Sequence, residues 1–276
     1  MKGSLCLSLA LVVGLSSCNN LKSTSDNHQE NATAVAVPSF QNKGHELVYN
    51  MVQKVGDFNK LLQKHDVTYT NSYQTPDGKT DVSNEKYIFS GELSYGKLDR
   101  HERTFPELEG TIEQGYDGSD YWFKHNGVSL DNEKIIQRVR FSRPTNFYWF
   151  AMMQKLLDPG ITYVYIGEKV IKGNAYDVVK IAFESNDNKP KDTYQLYINK
   201  KTNLVDQFLF TVVDYGKTDP MLMQLEYVNV DGILIPAKRK YKSSDWDAIE
   251  TDKPWIMVNW TNIKFSNDLT VEDFKK

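Results

Sequence analysis

RPTNFYWFAMMQKLLDPG, residues 143–160, concentrates more apolar and aromatic surface than any other short stretch of the chain. Its punctuation predicts a helix. Pro144 disfavours helical geometry at Arg143, Thr145 or Asn146 is placed to cap a new helix, and Asp158-Pro159-Gly160 ends it. Phe147, Tyr148, Trp149, Phe150, Met152, Met153, Leu156 and Leu157 cover nearly its whole circumference, with Gln154 and Lys155 as the polar exceptions. Such a helix must be buried on most sides. Two placements meet that demand: a core helix packed on a sheet, or a plug in the mouth of a curved sheet that shares an apolar cavity with a ligand.

The flanking sequence is strand-like. Val67, Tyr69, Asn71 and Tyr73 alternate with polar residues, Pro76-Asp77-Gly78 turns the chain, and residues 82–90 return as the partner strand. Strands over 92–103, 111–116 and 119–125 follow, punctuated by Asp117-Gly118 and Asn126-Gly127. Asp131 is placed to cap a short helix through Phe141, separate from the one after Pro144. Beyond Gly160, strands are expected over 161–171, 175–184, 193–199, 204–215, 221–230, 233–241 and 255–265. Thr270 and Asp273 are spaced to cap a last helical turn. Upstream, Leu47, Val48, Met51, Val52, Val55, Phe58, Leu61 and Leu62 recur at helical spacing, which predicts one amphipathic helix over 45–64. Gly56 weakens its middle by about 1 kcal/mol relative to Ala.

The fold class that follows is mainly β with helices (α+β). A strongly curved antiparallel meander of about eleven or twelve strands forms an unclosed half-barrel, with helices covering or plugging its concave face. No linker or internal repeat divides residues 44–276, which read as a single domain.

The amino-terminal end reads differently. Residues 1–17 combine a basic start at Lys2 with an apolar run from Leu5 to Leu15, too short to span a bilayer, and so read as an export signal. Leu15-Ser16-Ser17-Cys18 resembles the lipobox of bacterial lipoproteins, which implies that Cys18 is lipidated and becomes the first residue of the mature chain. The other cysteine, Cys6, leaves with the signal, so disulfides and thiolate metal sites are not expected in the folded domain. Residues 18–43 are rich in Asn, Ser, Thr and Gln and read as a tether. Asn19-Asn20-Leu21-Lys22 lacks the acidic residues that direct some lipoproteins to the cell surface, which favours a periplasm-facing outer-membrane anchor. The sequon Asn31-Ala32-Thr33 carries no weight in a bacterial chain.

The order of elements from His45 to Phe274 resembles the LolA and LppX type of lipoprotein carrier. The matching features are the opening amphipathic helix, Tyr116-Asp117-Gly118 leading to Tyr121-Trp122, the 144–157 helix, paired strands either side of Lys200-Lys201-Thr202-Asn203, and the closing 269–274 segment. A family of lipoproteins from Bacteroidota with no established activity carries similar phrases. The resemblance implies an unclosed curved sheet whose hollow, covered by helices, takes an apolar ligand. An anchor at Cys18 departs from soluble carriers and fits a fixed acceptor, store or sensor better than a shuttle.

Reactive constellations are scarce. His28, His45, His65, His101 and His125 show no metal-ligand spacing, and nucleotide, dinucleotide and serine-hydrolase motifs are absent from the sequence. Neither a catalytic residue, a metal site nor a cofactor is therefore expected. Glu102, Glu107, Glu109 and Glu113 form an acidic run in which two carboxylates could sit at glycosidase separation, although such runs are usually solvated. On the strand after Pro236, Lys238, Lys240 and Lys242 share one face and Arg239 with Tyr241 the other, a solvated outer face or a contact for an anionic headgroup or partner. A formal charge of −3 gives no electrostatic basis for nucleic-acid binding.

Aromatic residues make up 12% of the chain, enough to line a pocket as well as fill a core. The expected ligand-binding set is Phe147, Tyr148, Trp149, Phe150, Met152 and Met153 with Trp122 and Trp255. The reading that results is a non-enzymatic, membrane-anchored envelope lipoprotein that binds a lipid, acyl chain or lipidated protein in the hollow. The alternative is an envelope interaction module that docks a protein partner.

Overall fold

Thirteen strands form one antiparallel sheet in the computed structural model, which describes residues 38–184, 191–213 and 216–276. The signal, Cys18, His28, the sequon and nearly all of the tether lie outside the described residues, as does most of the charged loop before Asp192. Two helices come first, α1 (Lys43–Val55) and α2 (Phe58–Lys64). The first half of the sheet is β1 (Asp66–Gln74), β2 (Thr80–Ile88), β3 (Leu93–His101), β4 (Ile112–Tyr116), β5 (Tyr121–His125) and the two-residue β6 (Val128–Ser129). Helix α3 (Glu133–Lys155) follows. The second half is β7 (Ile161–Ile171), β8 (Asn174–Phe183), β9 (Thr193–Asn199), β10 (Val205–Val212), β11 (Lys217–Val230), β12 (Ile233–Ser243) and β13 (Ile256–Phe265).

The spatial order is β6-β5-β4-β3-β2-β1-β13-β12-β11-β10-β9-β8-β7. The chain therefore starts in the middle of the sheet and walks out to one edge. It then crosses to the opposite edge through α3 and walks back until β13 pairs with β1. The sheet stays open between β6 and β7, so the curved, unclosed α+β sheet expected from the pattern is present. The expected chain-order meander is two meanders joined at β1–β13, and the strand beyond the expected count is β6.

Helix α3 corrects the expected break at Pro144. A single 23-residue helix runs through it, capped by the Asn132 side chain and not by Asp131. Proline removes one hydrogen bond to the carbonyl four residues back. That carbonyl belongs to Arg140, an exposed residue whose carbonyl water can serve, while the Thr145 hydroxyl donates to the Phe141 carbonyl at 2.7 Å. Burial supplies the reason for continuity. Val139, Arg143, Phe147, Phe150 and Gln154, spaced at threes and fours, are all buried, so one stripe crosses Pro144 without a change of phase.

Along that stripe α3 touches the whole inner face in turn. Val139 packs with Leu98, Phe105, Ile112 and Phe123. Phe147, Phe150 and Ala151 pack at the centre with Tyr69, Tyr87, Phe89, Trp260 and Phe265. Met152, Met153 and Leu156 join α1 and strands β7 to β11. The predicted 45–64 helix is likewise corrected, here to two helices. Gly56 takes a φ of 96°, which ends α1, and the Asp57 side chain starts α2 by accepting from the Lys60 N–H at 3.0 Å.

The outer face has its own covers. Trp255 and Ala248 pack on Tyr176, Val178, Tyr197, Leu209 and Leu222. Leu269 and Phe274 close over Ile88 and Leu93, where Thr270 and Asp273 form the expected capping box.

Candidate functional site

A buried ion pair holds α3 down. Arg143, fully buried, donates from Nη2 to Glu85 Oε2 at 2.5 Å and from Nε to the Ser94 hydroxyl at 2.7 Å. Glu85 also accepts from the Ser83 hydroxyl at 2.6 Å and the Tyr87 hydroxyl at 3.2 Å, and Tyr87 is bonded to the Tyr69 hydroxyl at 3.0 Å. Gly96 on β3 leaves the space this needs, because a Cβ there would lie 2.3 Å from Arg143 Nη1.

Between α3 and the strands β9 and β10 lies a pocket of about 270 Å³. Phe141, Pro144, Thr145, Tyr148 and Trp149 of α3 form one wall. Tyr194 of β9, Val212 of β10 and Asp192 form the other. Trp149 is set in place from below: its ring packs edge-on against Phe210 at 5.3 Å, and its carbonyl accepts from Arg239 Nη2 at 2.8 Å. Arg239 is buried, lies 3.9 Å over the Trp260 ring, and burial pushes its guanidinium down to about 9. The Tyr148 hydroxyl is buried without a hydrogen bond of ordinary geometry, and burial pushes this phenol well above the usual tyrosine range. Burial also raises the Tyr194 phenol. The lining mixes Pro144, Trp149 and Val212 with Thr145, Asp192 and the two tyrosines, so the pocket can take an apolar group that carries one hydrogen-bonding atom.

The expected ligand-binding residues divide into three groups. Tyr148 and Trp149 line the pocket. Phe147, Phe150, Met152 and Met153 are core residues, each at most 1% exposed. Trp122 and Trp255 are on the outer face, which corrects their placement in the hollow. Trp122 donates to the Phe274 carbonyl at 2.7 Å, and Trp255 lies under Lys240 and Lys242 at 4.8 and 4.2 Å. Strand parity explains this: Phe123 and Trp260 face inward, so Trp122 and Trp255, an odd number of residues away on the same strand or its approach, face outward. Tyr194 was visible in the sequence only as one of several strand aromatics, and Val212 and Asp192 carried no signal.

Three carboxylates of the acidic run each have a partner of their own. Glu102 accepts from the Thr80 N–H, Glu107 pairs with Arg138 and Glu113 accepts from the Tyr95 hydroxyl. Backbone hydrogen bonds hold Glu102 and Glu107 below the usual carboxylate range. Among the described residues, no group of three His, Cys, Asp or Glu side chains could hold a metal. The basic strand also departs from a purely solvated face, since Lys242 is buried and donates to the Thr251 carbonyl at 2.6 Å.

A family model described as a family of unknown function (DUF6503) matches residues 128–234, which include both walls of the pocket. No curated protein matches the sequence. Among solved structures, a DUF1329 family protein from Desulfovibrio piger is 11% identical, with 85% of this chain and 98% of that one covered and a TM-score of 0.52. A LolA superfamily protein from Nitrosomonas europaea is 13% identical over 80% of this chain and 98% of that one, with a TM-score of 0.45. The lipoprotein LppX from Mycobacterium tuberculosis is 9% identical over 82% and 98%, with a TM-score of 0.30. At these identities the likeness is one of fold.

Proposed function

We propose that this protein is a non-enzymatic envelope lipoprotein, anchored through Cys18, that receives the apolar end of a lipid, acyl chain or lipidated protein between α3 and strands β9–β10. The observation that carries the reading is the pocket beside Tyr148 and Trp149, between the helix that spans the inner face and strands β9 and β10. At about 270 Å³ it falls just below the range of small-molecule sites, ~300–1,000 Å³. A chain end fits as it stands, and a longer ligand requires α3 to lift. Pro144 lines the pocket, so the helix is weakest in backbone hydrogen bonding where it would have to yield.

Lipid mass spectrometry of the full-length protein extracted from membranes, with displacement of a fluorescent fatty-acid probe, tests the reading. Bound lipid and a displaceable probe are expected, and Trp149→Ala should weaken the probe. Absence of both lipid and probe binding would overturn it. The anchor is tested separately: the mature amino terminus should be an acylated Cys18, and Cys18→Ser should leave the membrane fraction.

A further inference from the structure

A second recess lies on the outer face, opposite the helices. It has a volume of about 310 Å³ and crosses strands β10 to β13, with the β7–β8 hairpin along one side. Its floor is a ladder of polar side chains set by register. Gln207 is opposite Gln224, Gln224 opposite Lys240, and one row further Glu226 is opposite Lys238 and Lys238 opposite Asn259. Neighbouring strands are about 4.8 Å apart, so the row offers hydrogen-bonding groups at a regular short spacing.

Gln207 is the informative residue. It is 7% exposed and lines the recess, yet its amide has no hydrogen-bond partner among the described residues. Asn259, two strands away from β11, is likewise without a side-chain partner among the described residues. Asp206 is held in place at the recess wall by the Tyr176 hydroxyl at 3.0 Å and the Asn199 amide at 2.7 Å.

The chemistry of the lining narrows what fits. Ile171, Tyr176 and Met257 also line the recess, but the amides and charged groups along its floor disfavour an acyl chain, which would leave them unpaired. The strands beneath are paired on both sides, so they offer no backbone edge to a peptide. Lys172 pairs with Glu250 at 2.6 Å, Lys238 pairs with Glu226 at 3.3 Å, and the Asp206 carboxylate shares the recess with Lys240, which disfavours a phosphate or other compact anion. What remains is a ligand with several neutral groups, each both donor and acceptor. Amides, carboxylates and ammonium groups side by side match adjacent hydroxyls of that kind. We infer that this recess is a saccharide-binding site, with Gln207 and Asn259 as its specificity-determining side chains and Lys240, resting on Trp255, at its rim.

The test uses full-length protein in a sugar-free detergent and soluble malto-, cello-, xylo- and chito-tetraoses, observed by saturation-transfer NMR. At least one tetrasaccharide should bind, and Gln207→Leu, which keeps the side-chain volume, should weaken it about tenfold or more. Asn259→Ala on a different strand gives a second reading should Gln207→Leu fail to fold, and Trp149→Ala in the pocket beside α3 should leave saccharide binding unchanged. The inference is overturned when no tetrasaccharide binds, when both variants bind as the parent does, or when inorganic phosphate displaces the sugar.

Discussion

Arg143 and Glu85, 58 residues apart, form a 2.5 Å ion pair in which neither side chain is more than 2% exposed, and this pair ties the crossing helix to strand β2. Removing one partner leaves the other charge buried and uncompensated. Arg143→Met or Glu85→Leu should each lower unfolding free energy by about 3–5 kcal/mol, while the double variant should recover much of the loss. Denaturant titration of the four proteins checks this; additive losses would contradict it.

Gly96 is the space that pair occupies. A methyl group at this position would sit 2.3 Å from Arg143 Nη1 and about as close as contact allows to Glu85. Gly96→Ala should therefore destabilise by about 1–3 kcal/mol, and by clearly less when Arg143 is already methionine. Thermal melts of the single and double variants separate the two cases.

Tyr148→Phe should raise stability while lowering affinity. Its hydroxyl is buried and meets only the Tyr194 hydroxyl, without ordinary hydrogen-bond geometry, so deleting it relieves a cost of up to about 1 kcal/mol in the ligand-free protein. A ligand whose ester or amide accepts from that hydroxyl loses the contact, so the fluorescent-probe displacement midpoint should move upward. A variant that is less stable would show that the hydroxyl is paired in solution.

Pro144→Ala should stabilise α3. Alanine restores an N–H for the Arg140 carbonyl and removes the ring from a helix interior, a gain of about 3 kcal/mol, offset by up to about 1 kcal/mol from the freer unfolded chain. A net gain of about 2 kcal/mol is expected. Slower association of the probe in stopped-flow mixing would accompany it if the helix yields there.

Stability should fall steeply in alkali. Burial raises the phenols of Tyr69, Tyr87, Tyr148, Tyr194, Tyr227 and Tyr241. Unfolded tyrosines release their proton near pH 10, roughly, so above that pH the folded state binds more protons than the unfolded one. The stabilisation is whole below pH ~10 and is lost as pH rises through the folded values. Arg239, pushed down to about 9, acts in the opposite sense above that pH, one group against six. Circular-dichroism melts from pH 8 upward should show at most a small rise between about pH 9 and 10, where Arg239 acts alone, followed by a sharp drop; a midpoint that keeps climbing well above pH ~10 would refute the assignment.

Local pattern carried much of this structure. Two-residue alternation from Val67 onward, the turns at Asp77-Gly78, Asn126-Gly127 and Gly173, and the Thr270–Asp273 box are short-range signals, and each element appears where its own residues require it. The stretch 143–160 was legible as a mostly buried helix for the same reason: eight large apolar side chains leave no face for water. Its length was not, because Pro144 is a local stop signal, whereas the stripe from Val139 to Gln154 and the Arg143–Glu85 pair are satisfied only when the sheet is present.

The site divided along the same line. Composition identified Tyr148 and Trp149 among several equivalent aromatics, and nothing local distinguished them from Phe147 and Phe150, which became core. Trp122 and Trp255 are on the outer face because strand parity follows from register, which the β4–β5 hairpin sets for Trp122 and the pairing of β1 with β13 across nearly the whole chain sets for the strand that Trp255 approaches. The sequence by itself determined twelve of the strands, the open antiparallel class and the helix that must be buried. Only the tertiary structure decided which side of that helix meets a core and which meets a pocket, since burial of a side chain is a property of its neighbours.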